Sequence, residues 1–187
     1  MNNELIAVID TETNWHDQVM SVGMVIADAS FRPVEKVYCI ISPECNTGGF
    51  FSSALHLSGF EPDLTASRTE VMSMLVSKLN ASNVSRVFAY NANFDYGHLP
   101  ELHGFRWFDI MGIAAYRQFN SAIPDTADCC KSGRLKRSYG VEPMFRLLSD
   151  NQFYHEKHNA LADAIDELEI MRLLGHVTDV YLRTEIL

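Results

Sequence analysis

The run Leu5-Ile6-Ala7-Val8-Ile9 is followed at once by Asp10-Thr11-Glu12-Thr13, and this junction constrains the fold more than any other stretch. Consecutive apolar residues of this length, three of them β-branched, read as a buried strand. Side chains two apart on a strand share a face, so Asp10 and Glu12 would point the same way. Like charges held together disfavour ionisation unless a positive partner lies between them. A fold for this chain must therefore bring something cationic to the mouth of its first strand.

With 187 residues, 47% hydrophobic and 21% charged, the chain can bury the core of a single domain, expected to span residues 1–187. No apolar stretch approaches a bilayer span, and a first strand beginning by about residue 5 leaves no room for a signal peptide. We therefore expect a cytoplasmic protein without membrane association. Cys39, Cys45, Cys129 and Cys130 show no Cys-x-x-Cys spacing, which disfavours structural zinc and leaves reduced thiols as the expectation. The formal charge of −9 argues against coating long nucleic acid by phosphate neutralisation alone. An enzyme that grips a few nucleotides through bound metal remains compatible with it.

Residues 4–9, 19–28 and 34–41 are rich in Val and Ile, with turn residues Asp28 to Pro33 between the last two, and predict three antiparallel strands. Val71, Met72, Leu75, Val76 and Leu79 recur at helical spacing within 65–80, with Ser67 or Thr69 as a possible cap. A short strand over 86–90 is followed by a helix over 94–103, a strand over 105–108 and a helix from near Asp109. Strands and helices alternating after a meander point to an α/β fold with a mixed central sheet flanked by helices. Residues 120–140 lack periodicity and predict a loop. Leu161, Ala164, Ile165, Leu168 and Met171 form an apolar stripe predicting a helix over about 159–174, with Asp166, Glu167 and Glu169 on its exposed face. The segment from Gly175 onward reads equally as helix or strand.

Three motifs sit at the ends of these elements. Asp10-Thr-Glu-Thr supplies Asp10 and Glu12, Tyr90-Asn-Ala-Asn-Phe-Asp supplies Asp95, and His158-Asn-Ala-Leu-Ala-Asp-Ala supplies His158 and Asp163. Loops at a sheet edge are where α/β folds place ligands. Hard oxygen donors select magnesium or manganese, and two such ions about 4 Å apart can activate water and stabilise the leaving oxygen of a phosphodiester. Five residues of helix rotate by roughly 140°, so His158 cannot share a helical face with Asp163. We expect it in the preceding loop or first turn, swinging freely as a general base, with Asp163 fixed as a ligand.

In this order, Asp-x-Glu, Asn-x-x-Phe-Asp and His-x-Ala-x-x-Asp resemble the motifs of the DEDDh family of 3′-to-5′ exonucleases. Ala54-Leu-His-Leu-Ser-Gly-Phe60 and Phe108-Asp-Ile-Met111 are similar to further stretches of that family, so the likeness spans nearly the whole chain. The resemblance implies a ribonuclease-H-like fold and an enzyme of the ribonuclease T or proofreading-subunit kind. By it, Asp10, Glu12, Asp95 and Asp163 hold two Mg2+ or Mn2+ ions, and His158 takes a proton from the attacking water. The expected partner is the 3′ end of single-stranded RNA or DNA, from which nucleoside 5′-monophosphates are released. Thr13, Trp15, Asn91 and Phe94, within or beside the first two motifs, are expected against the substrate. The tyrosine branch of the superfamily is disfavoured, because Asn159 stands four residues before Asp163.

The chain departs from the family where many relatives have Gly-Leu after the first motif. It has Asn14-Trp15-His16 instead, and Trp15 would replace that wedge by stacking on a base; a core-capping role is its other reading. Phe94 on its own reads as core packing under the site; the Gly48-Gly49-Phe50-Phe51 segment reads as a buried anchor, or else as presenting an aromatic ring to substrate. Lys131, Arg134, Lys136 and Arg137 place four positive charges in seven residues, the candidate contact for substrate phosphates. Two alternatives stand beside the exonuclease: a catalytically silent nucleic-acid-binding module of the same fold, and an oligoribonuclease for very short RNA. The latter usually carries Glu-Met-Thr-Gly-Leu, absent here. Ribonuclease T-like enzymes are often dimers, which makes a homodimer an open possibility.

Overall fold

A computed structural model describes residues 4–186 of the chain. Its strands are β1 (Leu5–Thr13), β2 (Val19–Asp28), β3 (Pro33–Ile41), β4 (Leu64–Ala66), β5 (Arg86–Ala89) and β6 (Arg106–Asp109). They form one mixed sheet in the order β4-β3-β2-β1-β5-β6. β1, β2 and β3 pair antiparallel, as their short turns allow, and β4, β5 and β6 join in parallel. The helices are α1 (Arg68–Ala81), α2 (Asn93–His98), α3 (Met111–Ala114), α4 (Val141–Ser149) and α5 (Ala160–Leu174).

The α/β class with a mixed, helix-flanked sheet is as expected from the sequence, and several details differ. β1 does not end at Ile9; it runs on through the acidic motif to Thr13, because β2 keeps pairing with it from Asp10 through Thr13. The helix expected over 94–103 breaks after His98, and a 3-10 turn follows over Pro100–Leu102. Pro100 has no N–H to give and pushes Leu99 out of the helical region, which ends the element. The helix expected from near Asp109 is the single turn α3. β4 and α4 have no counterpart among the elements expected from the sequence. Beyond Gly175 the chain forms 3-10 turns over Thr178–Thr184, neither an α-helix nor a strand.

Alternation along β1 divides the core. Ile6 and Val8 pack with α5 residues such as Leu161, Leu168 and Met171, while Ala7 and Ile9 pack with Val71, Met72 and Leu75 of α1 on the opposite face. α1 is closed at its start by a reciprocal cap: Ser67 accepts from the Glu70 N–H, and Glu70 accepts from the Ser67 N–H. Such a box satisfies two orphan amides and anchors the helix entry. Among the described residues, no helix is long and apolar enough to cross a membrane.

Candidate active site

The period of β1 that sends Ile6 and Val8 toward α5 sends Asp10 and Glu12 there as well. Asp10 lies opposite Gly23 of β2, and Gly23 is where α5 meets the sheet. A Cβ at that glycine would fall 2.1 Å from the Ala160 carbonyl oxygen, so the helix backbone rests directly on the strand. This contact sets the first turn of α5, with Asp163, beside Asp10.

α5 is capped at its start by Asn159, whose side chain accepts from the Ala162 N–H. His158, just outside the helix, adopts a left-handed φ of 53°, which resolves the spacing problem posed by five residues of helix. The imidazole and the Glu12 and Asp163 carboxylates offer ligand atoms all within 4.8 Å of one another. The ring does not swing free as expected; it lies face to face on Phe51.

Asp95 arrives from the other side. β5 runs parallel to β1, so both strands deliver their carboxyl ends to the same edge. Asn91, at φ 62°, turns the chain into α2, and its N–H donates to Asp109 Oδ1. Thr11, on the opposite face of β1 from Asp10, donates its hydroxyl to Asp95 Oδ1 at 2.8 Å. A threonine between the two acids of the first motif thus orients the acid of the second.

Asp10, Glu12, Asp95, Asp163 and His158 line one open cavity of about 530 Å³. Thr13, Trp15, Asn91 and Phe94 line it too. Burial, with Glu167, Asp95, Asp163 and Glu12 as like-charged neighbours, pushes the Asp10 carboxyl well above the usual carboxylate range. Burial and Asp163 push Glu12 up to about 8. Burial and Glu156 do the same for Asp163, up to about 8. Asp95 rises by burial to about 7 against the opposing Thr11 hydrogen bond. Burial lowers the His158 imidazole below its ordinary value.

Burial is the first cause of every one of these shifts, and for Asp10, Glu12 and Asp163 the neighbouring carboxylates add to it. Among the described residues, no Lys or Arg lines the cavity. Asp10 Oδ2 and Asp163 Oδ1 are buried without a hydrogen-bond partner, which is costly unless something else satisfies them. A hard divalent cation would supply the missing partner, and the carboxylate oxygens gathered here are the donors that fit it.

Two further acids belong to the arrangement. Glu156 lines the cavity and stands two residues before His158, a proximity that the motif spacing could have flagged. Glu167 is 1% exposed and accepts the Tyr90 N–H at 3.1 Å, which overturns its expected place on a solvent face. Its spacing of four from Asp163 was the available signal, since residues i and i+4 share a helical face.

The aromatic residues also correct the sequence expectations. Trp15 is 58% exposed and Phe50 81% exposed, so neither a core cap nor a buried anchor describes them. Phe51 and Phe94 are likewise partly exposed and line the cavity. None of Lys131, Arg134, Lys136 and Arg137 lines it. Arg134 lies over the Tyr139 ring and Lys136 pairs with Asp128, while the Tyr139 carbonyl accepts the hydroxyl of Tyr90 at the cavity wall.

No protein-family model matches the chain, and no curated protein does. Solved structures do. Exonuclease I of Escherichia coli in complex with a 5cy-dT13 oligonucleotide superposes with a TM-score of 0.58 at 14% identity, over 93% of this chain and 40% of that one. The chain has the ribonuclease-H-like fold of exonuclease I. A zinc-ion-bound form of the E. coli exonuclease I complex with single-stranded DNA gives 0.53 at 14% identity, over 93% and 41%. Exonuclease I from Methylocaldum szegediense, described as moderately thermophilic, gives 0.55 at 18% identity, over 91% and 40%. The chain therefore spans about two fifths of the length of the exonuclease I structures it matches.

Proposed function

We propose that this protein is a metal-dependent 3′-to-5′ exonuclease that removes nucleoside 5′-monophosphates from single-stranded RNA or DNA. The observation that carries this reading is the convergence of Asp10, Glu12, Asp95, Asp163 and His158, from three distant segments, on one cavity. The fold shared with exonuclease I, solved in complex with single-stranded oligonucleotides, favours this substrate class.

Asp10, Glu12, Asp95 and Asp163 would hold the divalent ions. When bound, two such ions offset the crowded negative charge, activate the attacking water and stabilise the departing oxygen. Thr11 keeps the Asp95 carboxylate oriented through its 2.8 Å hydrogen bond. His158, whose imidazole burial biases toward the neutral form, can accept the water's proton on a ring nitrogen near neutral pH. The water oxygen bonds to phosphorus as the phosphorus–O3′ bond breaks, and O3′ takes a proton from solvent, so that the shortened strand leaves with a 3′-hydroxyl. Trp15, braced edge-on by Phe50 at 4.4 Å, offers a face for the terminal base, and such stacking contributes about 1–3 kcal/mol. Thr13, Asn91 and Phe94 would complete the nucleotide contacts. Lys131, Arg134, Lys136 and Arg137 would meet phosphates farther along the strand.

The deciding experiment incubates purified protein with manganese and 5′-labelled RNA and DNA oligonucleotides of several lengths. Stepwise shortening with 5′-mononucleotide products is expected, abolished by chelation and by Asp10→Ala or Asp163→Ala. Undiminished hydrolysis in those variants, or no hydrolysis by the wild type, rejects the proposal.

A further inference from the structure

The segment between β3 and β4 is fastened to two of the three segments that carry the candidate site, the end of β1 and the start of α5. The Trp15 N–H donates to the Gly48 carbonyl at 3.0 Å, and a Cβ on Gly49 would fall 2.7 Å from the Thr13 carbonyl oxygen. The Tyr38 hydroxyl donates to the Leu55 carbonyl at 2.9 Å. Asn159, the cap of α5, uses its Nδ2 to donate to the Ala54 carbonyl at 2.8 Å. Residues 48–55 are thus tied to the end of β1, to β3 and to the start of α5.

This fastened segment aims two consecutive aromatic rings at different targets. Phe50 packs edge-on against Trp15, and Phe51 lies parallel to the His158 imidazole, with centroids 3.8 Å apart and planes 14° from parallel. His158 itself sits on a left-handed backbone just outside α5, so its side chain is not held in the packing of the helix. The stack with Phe51 is the ring contact that restrains it.

We infer that Phe51 is a positioning residue for His158: stacked on the imidazole, it holds the ring toward the Glu12 and Asp163 carboxylates. The inference rests on the proposed hydrolysis for its catalytic meaning. A base displaced by rotation loses its reach to the water, so the cost of losing Phe51 falls on kcat. Phe50 braces Trp15, so its loss falls on KM.

The test compares Phe51→Ala, Phe51→Tyr and Phe50→Ala in oligonucleotide hydrolysis and by proton NMR of the histidine ring, with His158→Ala assigning the resonance. Loss of a stacked ring removes its shielding, so the His158 ring protons should move downfield in Phe51→Ala and stay near the wild-type position in Phe51→Tyr. Phe51→Ala should lower kcat by about ten- to a hundred-fold, the scale of a mispositioned general base. Its KM should be nearly unchanged, and Phe51→Tyr should restore most of the rate. Phe50→Ala should mainly raise KM.

Unmoved ring resonances in Phe51→Ala overturn the inference, as does an unchanged kcat in an active enzyme. A melting temperature near wild type, expected for a partly exposed ring, separates positioning from unfolding; a collapse of the fold in both Phe51 variants would make Phe51 a structural residue and also overturn it. If the wild type hydrolyses nothing, the proposed function fails, while the resonances still judge whether Phe51 holds the ring.

Discussion

Glu167 places a carboxyl at 1% exposure, one helical turn past Asp163, with the Tyr90 N–H as its recorded donor. Burial and the nearby Asp95 push it well above the ordinary carboxylate range. At pH 8 without metal, folding must either bury that charge or bind a proton, and both oppose folding. Glu167→Gln keeps an oxygen acceptor for Tyr90 and requires neither. It should raise the melting temperature in chelator at pH 8. Glu167→Leu should lower it, because an unpaired buried N–H costs about 1–3 kcal/mol. Equal destabilisation by both variants in thermal denaturation would refute this account. The acid was visible in the sequence. So was its spacing of four from Asp163, which puts both on one helical face; that this face meets the sheet was not, and only packing shows it.

Contact between α5 and the sheet depends on Gly23. A methyl group there would fall 2.1 to 2.3 Å from the Ala160 oxygen, the Ala160 carbonyl carbon and the Leu161 nitrogen, all backbone atoms that no rotamer change can move. Gly23→Ala must lift the start of α5 and carry Asp163 away from Asp10. Overpacking of this kind costs about 1–3 kcal/mol or more. A lower urea midpoint and weakened manganese binding by calorimetry are both expected, and unaltered manganese affinity would contradict the role given to this contact. Elements with a plain period were legible: β1 to β3 by their apolar runs, α1 and α5 by their stripes. α4 carries such a pattern as well, since Val141, Met144, Phe145 and Leu148 recur at helical spacing behind Gly140. β4, only three residues long, owes its strand character to its pairing with β3 rather than to any pattern of its own.

For the molecule as a whole, the acidic site makes stability and metal affinity depend on pH in opposite directions. Burial pushes the Glu12 and Asp163 carboxyls up to about 8 and that of Asp95 up to about 7 in the fold, against about 4 in an unfolded chain. The folded state therefore binds more protons across that window, and stability falls as pH rises through it. Metal-free protein should melt at progressively lower temperature from about pH 5 to about pH 9. Manganese must displace those protons, so its stabilising effect should be larger at pH 8 than at pH 6. Melting curves with chelator and with manganese across this range check both slopes. A metal-free melting temperature that rises with pH would rule out the buried acids as its cause.

The order and spacing of Asp10, Glu12, Asp95, His158 and Asp163 could be read from the sequence, because a motif is a local pattern and needs no fold to be seen. The strand period that sends Asp10 and Glu12 to one face was equally local. Tertiary structure alone decided which side of the sheet α5 covers, how deeply the face shared by Asp163 and Glu167 is buried, and that Phe51 from a distant segment lies on His158. These depend on backbones meeting at Gly23 and on loops crossing at Gly49. Such contacts join residues far apart in the chain, and their closeness has no signature in the neighbours of either one.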